Sequence, residues 1–181
     1  MIFEEKTIKS ETVFEGRIID VRIETVEFPD GSTAYRELVN HPGGVGIIAI
    51  TPEGKIPLVK QFRKPFDKIM YEIPAGKLDK GEEPITCGKR ELQEETGYTA
   101  SDYIDLGYIY PSPGFAREIT YMFFAKGLEK GDDNPDEDEF LDVEEFTIDE
   151  VREMILKNEI NDAKSVAAFL KCDSMKLFVE D

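Results

Sequence analysis

The chain has 181 residues, enough for one full core or a core with a small appendage, and its 40% hydrophobic, 34% charged composition is that of a globular protein. A net charge of −17 sets up a field that repels nucleic acid and anionic membranes, so neither is an expected partner. Cys87 and Cys172 make no disulfide framework, and with no signal peptide or long apolar run in view, a reducing cytoplasm is the expected compartment.

From Thr7 to Val39 the pattern is strand, turn, strand. Val13-Phe14-Glu15-Gly16 leads into a partly alternating run from Ile18 to Phe28, and Pro29-Asp30-Gly31-Ser32 is a turn signal before Tyr35 to Val39. This region, residues 1–40, is too small to be stable by itself and must pack on the main domain or on another subunit. His41-Pro42-Gly43-Gly44 reads as the boundary to a second domain, 41–181. His41 fits a turn better than a catalytic role. Val45 to Ile50 is a nearly unbroken apolar strand, followed by a Pro52-Glu53-Gly54 turn and a strand from Ile56 to Arg63. Such runs are buried on both faces. Arg63 ends its strand as a cation for which an edge ion pair is the plain reading. Tyr71 to Gly76 is a short strand that feeds a loop and then a helix dense in acids.

On that helix Glu91 and Glu95 stand roughly 40° apart, and Glu94 lies roughly 60° to the other side of Glu91. Three carboxylates therefore share one face. Ile85, Leu92 and Thr96 cluster roughly 100–140° away, so the helix can bury that stripe while the acids look into a cleft. Pro84 suits the first turn and Gly97 the end. Like charges at this spacing cost a bare helix a few tenths of a kcal/mol each, so a counter-charge is expected. A solvated acidic face is the bland alternative. An oxygen-only donor set favours Mg²⁺, Mn²⁺ or Ca²⁺ over zinc. Cys87 and Gly88 read as small residues that permit close packing rather than as a reactive thiol and its neighbour.

Further strands are expected over Tyr103 to Tyr110, Thr120 to Lys126 and Phe140 to Phe146, and helices over Asp149 to Asn158 and Asp162 to Cys172. Thr147 and Glu150 fit a capping box. The sum is α+β, a mixed sheet with helices on its faces. Pro111 to Phe115 is a tight connection. The run Asp132 to Glu139 carries six acids in eight positions. It is either a solvated loop or a source of one carboxylate for the acidic helix.

Gly76, five residues, Glu82, seven residues, and then Arg90-Glu91-Leu92-Gln93-Glu94-Glu95-Thr96-Gly97-Tyr98 resembles the Nudix box, GX5EX7REUXEEXGU with U apolar. Every fixed position matches, and Tyr98 takes the last apolar slot. The resemblance implies a Nudix-type α/β/α sandwich with a mixed sheet, plus a small N-terminal antiparallel β region. It also implies hydrolysis of a diphosphate linked to a nucleoside, using divalent metal held by this helix. Gly76, Glu82 and Arg90 would brace the box. A polyphosphate substrate faces the chain's own negative field, which bound cations would offset locally.

The flanking residues are similar to the ADP-ribose pyrophosphatase branch of the family: Arg36-Glu37, Gln61-Phe62-Arg63, Glu72-Ile73-Pro74-Ala75-Gly76, Ser112-Pro113-Gly114-Phe115, Glu139-Phe140 and Asp162-Ala163-Lys164. Carried over position by position, Glu91, Glu94, Glu95, the Ala75 carbonyl and Glu139 would hold metal, with Mg²⁺ first and Mn²⁺ second. Glu91, Glu95 and Glu139 would be catalytic, Glu139 as the general base, with Glu137 and Asp138 crowding that register. Arg36, Glu37, Arg63, Gly114 and Glu118 would contact substrate, Arg36 from a partner's N-terminal region, because this branch is typically homodimeric with exchanged N-terminal strands. ADP-ribose would yield AMP and ribose 5-phosphate. Another nucleoside diphosphate sugar such as GDP-mannose, an oxidised nucleotide, or a non-catalytic ADP-ribose sensor are the rival readings. A calcium-storage module lacks the glycine and period of an EF-hand.

Overall fold

The computed structural model describes residues 3–131 and 141–178. They form two compact units, one made of the described residues up to 43 with 110–119 and the other of 44–109 with those from 120 onward. The connection 110–119 groups with the N-terminal strands.

In the first unit β1 (Lys6–Glu15), β2 (Asp20–Glu27), β3 (Thr33–Asn40) and β9 (Ala116–Arg117) form a sheet in the order β1-β2-β3-β9. The N-terminal region is therefore three antiparallel strands rather than a strand-turn-strand. β1 escaped the sequence reading because its ten residues are exposed on both faces and two register shifts interrupt its alternation. β9 runs parallel to β3, and Val39 N–H donates to the Phe115 carbonyl (2.9 Å).

In the second unit β7 (Ala75–Lys77), β4 (Gly44–Ala49), β10 (Thr120–Lys130) and β8 (Tyr98–Ile109) form a mixed sheet in which β4 and β10 are parallel. A separate antiparallel sheet has β11 (Leu141–Thr147), β5 (Lys55–Arg63) and β6 (Lys68–Glu72) in the order β11-β5-β6. The α+β fold with a mixed sheet is as expected, and the antiparallel sheet adds to it. Alternation along β4 and β10 explains the sandwich. Val45, Ile47, Ala49, Phe123 and Ala125 point to one cluster with Leu92 and Cys87 of α1 (Pro84–Thr96). Ile48, Met122 and Phe124 point to the other, with Val151 and Met154 of α2 (Ile148–Leu156) and Ala168 and Phe169 of α3 (Ala163–Ser174). Every residue of β4 is buried, as expected for a strand covered on both faces.

Helix ends follow local chemistry. Pro84 occupies the first turn of α1, and Gly97 ends it at φ 70°, its N–H donating to the Gln93 carbonyl (2.8 Å). Thr147 and Glu150 make the reciprocal capping box of α2, a feature that contributes about 1 kcal/mol. Asp162 caps α3 through Ser165 N–H. Among the described residues no helix is long and apolar enough to cross a membrane.

Candidate active site

α1 is seated by its apolar stripe. Leu92 is fully buried, and a Cβ on Gly88 would stand 2.6 Å from Ile47 Cδ1, so a larger residue there would push the Ile47 side chain aside for this turn to lie on β4 at the observed distance. That approach carries the acidic face in with it. The sequence reading has these acids looking into a cleft, but Glu91 and Glu95 are only 7% and 2% exposed.

What covers them is the bend between β6 and α1. Ala75 N–H donates to Glu95 Oε2 (2.9 Å), and the Glu91 carboxylate lies against Gly76, where any side chain would collide with it. The bend itself is pinned twice: Ile47 N–H donates to the Pro74 carbonyl (2.8 Å), and Ile73 N–H donates to Ser165 Oγ (2.8 Å).

The counter-charge is Arg90. Its Nη1 reaches Glu91 Oε1 (2.7 Å) and Glu94 Oε2 (2.9 Å), while Nε and Nη2 each lie 3.3 Å from a Glu82 oxygen. Burial alone would lower the pKa of the guanidinium, but Glu82, Glu91 and Glu94 outweigh that and raise it above its ordinary value. Glu82 Oε2 also accepts from Asp79 N–H (3.1 Å), which ties the loop before α1 to the same cation. Glu82, Arg90, Glu91 and Glu94 are thereby one ion-paired group. Cys87 Sγ is buried beneath it with its pKa pushed up to about 12 by burial and by Glu82 and Glu91, which makes it an inert packing residue.

Arg63, at the end of β5, makes a side-on bidentate pair with Glu72: Nε to Oε1 and Nη2 to Oε2, both 2.7 Å. Glu95 and Asp162 also act electrostatically on this guanidinium. Glu72 is 2% exposed. Burial pushes its carboxyl up, but Arg63 and Lys164 overcome that and hold it at about 2. Lys164 in turn bonds to Glu72 and to Asp162 Oδ2. The sequence pattern gives Glu72, Asp162 and Lys164 no role by itself. A buried acid between two cations is visible only once β6 and α3 are side by side.

The remaining sequence-selected residues lie in the other unit or outside the description. Arg36 pairs with Glu5 and sits 5.8 Å from the Phe28 ring, Glu37 is exposed on β3, and Glu118 Oε1 lies 3.7 Å from His41 Nδ1. His41 Nδ1 accepts from Gly43 N–H (3.1 Å), a turn contact. Around Gly114 there is open space on the Cβ side. Glu139 and the run 132–140 lie outside the described residues.

The donor chemistry fits a hard divalent cation: carboxylate oxygens only, already gathered around a positive charge supplied by Arg90. Among the described residues no three acid, histidine or cysteine side chains already converge as a metal-binding group.

The NUDIX domain matches residues 40–169, spanning the helix, the bend and the start of α3. The chain belongs to the Nudix family. Residues 5–39 match the nucleoside diphosphate sugar hydrolase N-terminal domain. The chain is 50% identical, over 92% of its length and 91% of the relative's, to a methanol dehydrogenase activator of Bacillus methanolicus. It is 48% identical, over 91% of its length and 90% of the relative's, to an ADP-ribose pyrophosphatase of Bacillus subtilis. Among solved structures it is similar to a chain described as an ADP compounds hydrolase, with a TM-score of 0.85 at 20% identity, covering 97% of this chain and 95% of that one, a likeness of fold.

Proposed function

We propose that this Nudix chain hydrolyses the diphosphate of ADP-ribose, giving AMP and ribose 5-phosphate. The observation that carries this reading is an intact Nudix helix, with Glu91 and Glu95 held at the Ala75–Gly76 bend and Glu94 paired to Arg90 beside them, in a chain 48% identical over 91% of its length to an ADP-ribose pyrophosphatase. The match of residues 5–39 supports a nucleoside diphosphate sugar as the substrate class.

Nudix hydrolases generally need a divalent metal cation, and Glu91, Glu94, Glu95 and the Ala75 carbonyl would hold it here, Mg²⁺ being the ion suited to an all-oxygen set. Bound there, it would withdraw charge from the diphosphate oxygens and favour attack by water on phosphorus. Arg90 and Glu82 keep the acidic face assembled. Ala75 N–H fixes the rotamer of Glu95. Arg63 meets the substrate's negative charge, and Glu139 takes the proton of the attacking water.

The molecule acts as a homodimer in this reading. β1 is exposed along its whole length, with Ile8, Val13 and Phe14 half in solvent, which is the state of a strand awaiting another chain. Arg36 and Glu37 would then serve the partner's substrate.

The test is product release from ADP-ribose, GDP-mannose and other nucleoside diphosphate compounds at matched concentrations, with Mg²⁺ and with EDTA. Fastest cleavage of ADP-ribose, abolished by EDTA, is expected. GDP-mannose cleaved faster would move the substrate, and binding without cleavage would make the chain a sensor. The likeness to a methanol dehydrogenase activator supports a second reading, in which the same site acts on a dehydrogenase partner. A rise in the rate of a purified methanol dehydrogenase on adding this chain, absent with Glu95→Gln, selects it.

A further inference from the structure

The start of α3 lies more than sixty residues beyond the Nudix helix in sequence, yet Asp162, Lys164 and Ser165, the last of them buried and the others partly so, bond to one another or to residues that frame the candidate site. Asp162 caps the helix with Oδ2, which accepts from Ser165 N–H (3.2 Å) and from Lys164 Nζ (2.9 Å). Lys164, 15% exposed, spends its ammonium on Asp162 and Glu72. Ser165 Oγ accepts the Ile73 N–H, two residues before the N–H that orients Glu95. Oδ1 of Asp162 is, among the described residues, a buried oxygen without a hydrogen-bond partner.

Each bond has a consequence for Arg63. Two anions, Glu72 and Asp162, and two cations, Arg63 and Lys164, form a balanced group. Glu72 can give both of its oxygens to Arg63 in side-on geometry because Lys164 compensates the rest of its charge and answers Asp162 as well. The side-on pair uses Nε and Nη2 of Arg63. Its Nη1 edge is not used by that pair, on a side chain that is 39% exposed and within the field of Glu95. A planar fork fixed on one side is the form in which arginine recognises phosphate with least loss of side-chain freedom.

From this arrangement we propose that Lys164 is a positioning residue for diphosphate recognition: through Glu72 it fixes the guanidinium of Arg63, with Asp162 holding Lys164 in place. This rests on the reading of Arg63 as a substrate contact. Lys164 itself touches no substrate. With its charge removed, Glu72 and Asp162, whose charge already acts on Arg63 and whose Oδ1 has no hydrogen-bond partner, compete for one guanidinium, and Arg63 leaves its side-on seat.

The test uses the full chain with Lys164→Met, Lys164→Arg, Arg63→Met and the Lys164→Met/Arg63→Met double variant. The first readout is the Arg63 Nε–H resonance, assigned by its loss in Arg63→Met. It should be sharp in the unaltered chain, shifted or broadened away in Lys164→Met, and recovered at least in part in Lys164→Arg. The second is calorimetric binding of ADP-ribose in EDTA, which needs no turnover. Kd should rise about tenfold in each single methionine variant, and the double variant should be no weaker than Arg63→Met alone. If Lys164→Met leaves the resonance and Kd unchanged, or if the two substitutions add in full, the proposal is overturned. A resonance that moves while Kd stays put overturns it differently, by removing Arg63 from the substrate site. Should Lys164→Met not fold, Asp162→Asn, which frees Lys164 from one partner, must perturb the same resonance for the proposal to stand.

Discussion

The Glu91 carboxylate fills the space that a Cβ on Gly76 would need, so one residue of the bend and one of α1 cannot both carry side chains in this arrangement. The first glycine of the Nudix box is thus required by contact, and not by an unusual backbone angle. Gly76→Ala should displace Glu91, lowering stability by about 1–3 kcal/mol as overpacking does. Activity should fall tenfold or more, because small misplacements of a site carboxylate are amplified in rate. Melting and steady-state assays on the same preparation check this; an alanine variant with unchanged activity would show that Glu91 has no fixed role.

Glu95→Gln keeps an oxygen for the Ala75 N–H and removes only the charge. Turnover of ADP-ribose should drop by roughly a hundredfold to a thousandfold, about 3–4 kcal/mol of transition-state stabilisation, with little change in melting temperature. Near-full turnover at saturating Mg²⁺ would refute a metal-holding role for this residue.

Glu72 predicts an acid limb in stability. Its carboxyl is held at about 2, against an ordinary 4.5, so the folded state favours the ionised form. That contribution, on the order of 3 kcal/mol, is complete above about pH 4.5 and is lost as pH falls toward 2. Denaturant titrations between those pH values should show the loss in the unaltered chain. Glu72→Gln, less stable throughout because it strands Arg63 and Lys164, should lack that part of the slope.

Both cysteines are buried, with thiols raised to about 12, Cys87 by burial together with neighbouring acids and Cys172 by burial. Thiol reagents at pH 8 should therefore react with the native chain only as fast as it opens, and fully once it is denatured. Rapid labelling of Cys87 with loss of activity would mean that α1 is not seated as described.

The general base can be assigned by pairing two substitutions in the acidic run. Glu139→Gln should bind ADP-ribose and turn it over slowly, while Glu137→Gln remains near normal. The reverse result moves the base by two positions.

Much of the site was legible because it depends on local periodicity. The acidic face of α1, its Pro84 start and Gly97 end, and the Thr147–Glu150 cap all follow from residues within one or two turns. The burial of Glu91 and Glu95 was not, since a helical wheel shows which residues share a face and says nothing of what covers it. The first strand was missed because Lys6–Glu15 has neither a wet nor a dry side. The beginning of β8 was not legible because Tyr98 reads as the last apolar position of the box and Ala100, Ser101 and Asp102 carry little strand signal. Arg63 was noted as a cation seeking an acid, but its partner Glu72 and the lysine behind it became visible only in the tertiary structure.

The parallel pairing of β4 with β10 also bears on how the chain acquires its site. Gly44 lies opposite Thr120, and the whole Nudix helix is contained in the loop between them. Parallel neighbours so distant in sequence must be brought together at an entropic cost before their contacts repay it. Until that happens α1 lacks half of the floor beneath Leu92 and Cys87, because Phe123 and Ala125 come from β10. Closure of this one loop therefore completes the core and the acidic site in the same event, and a refolding chain should gain catalytic competence together with its tightest packing rather than ahead of it.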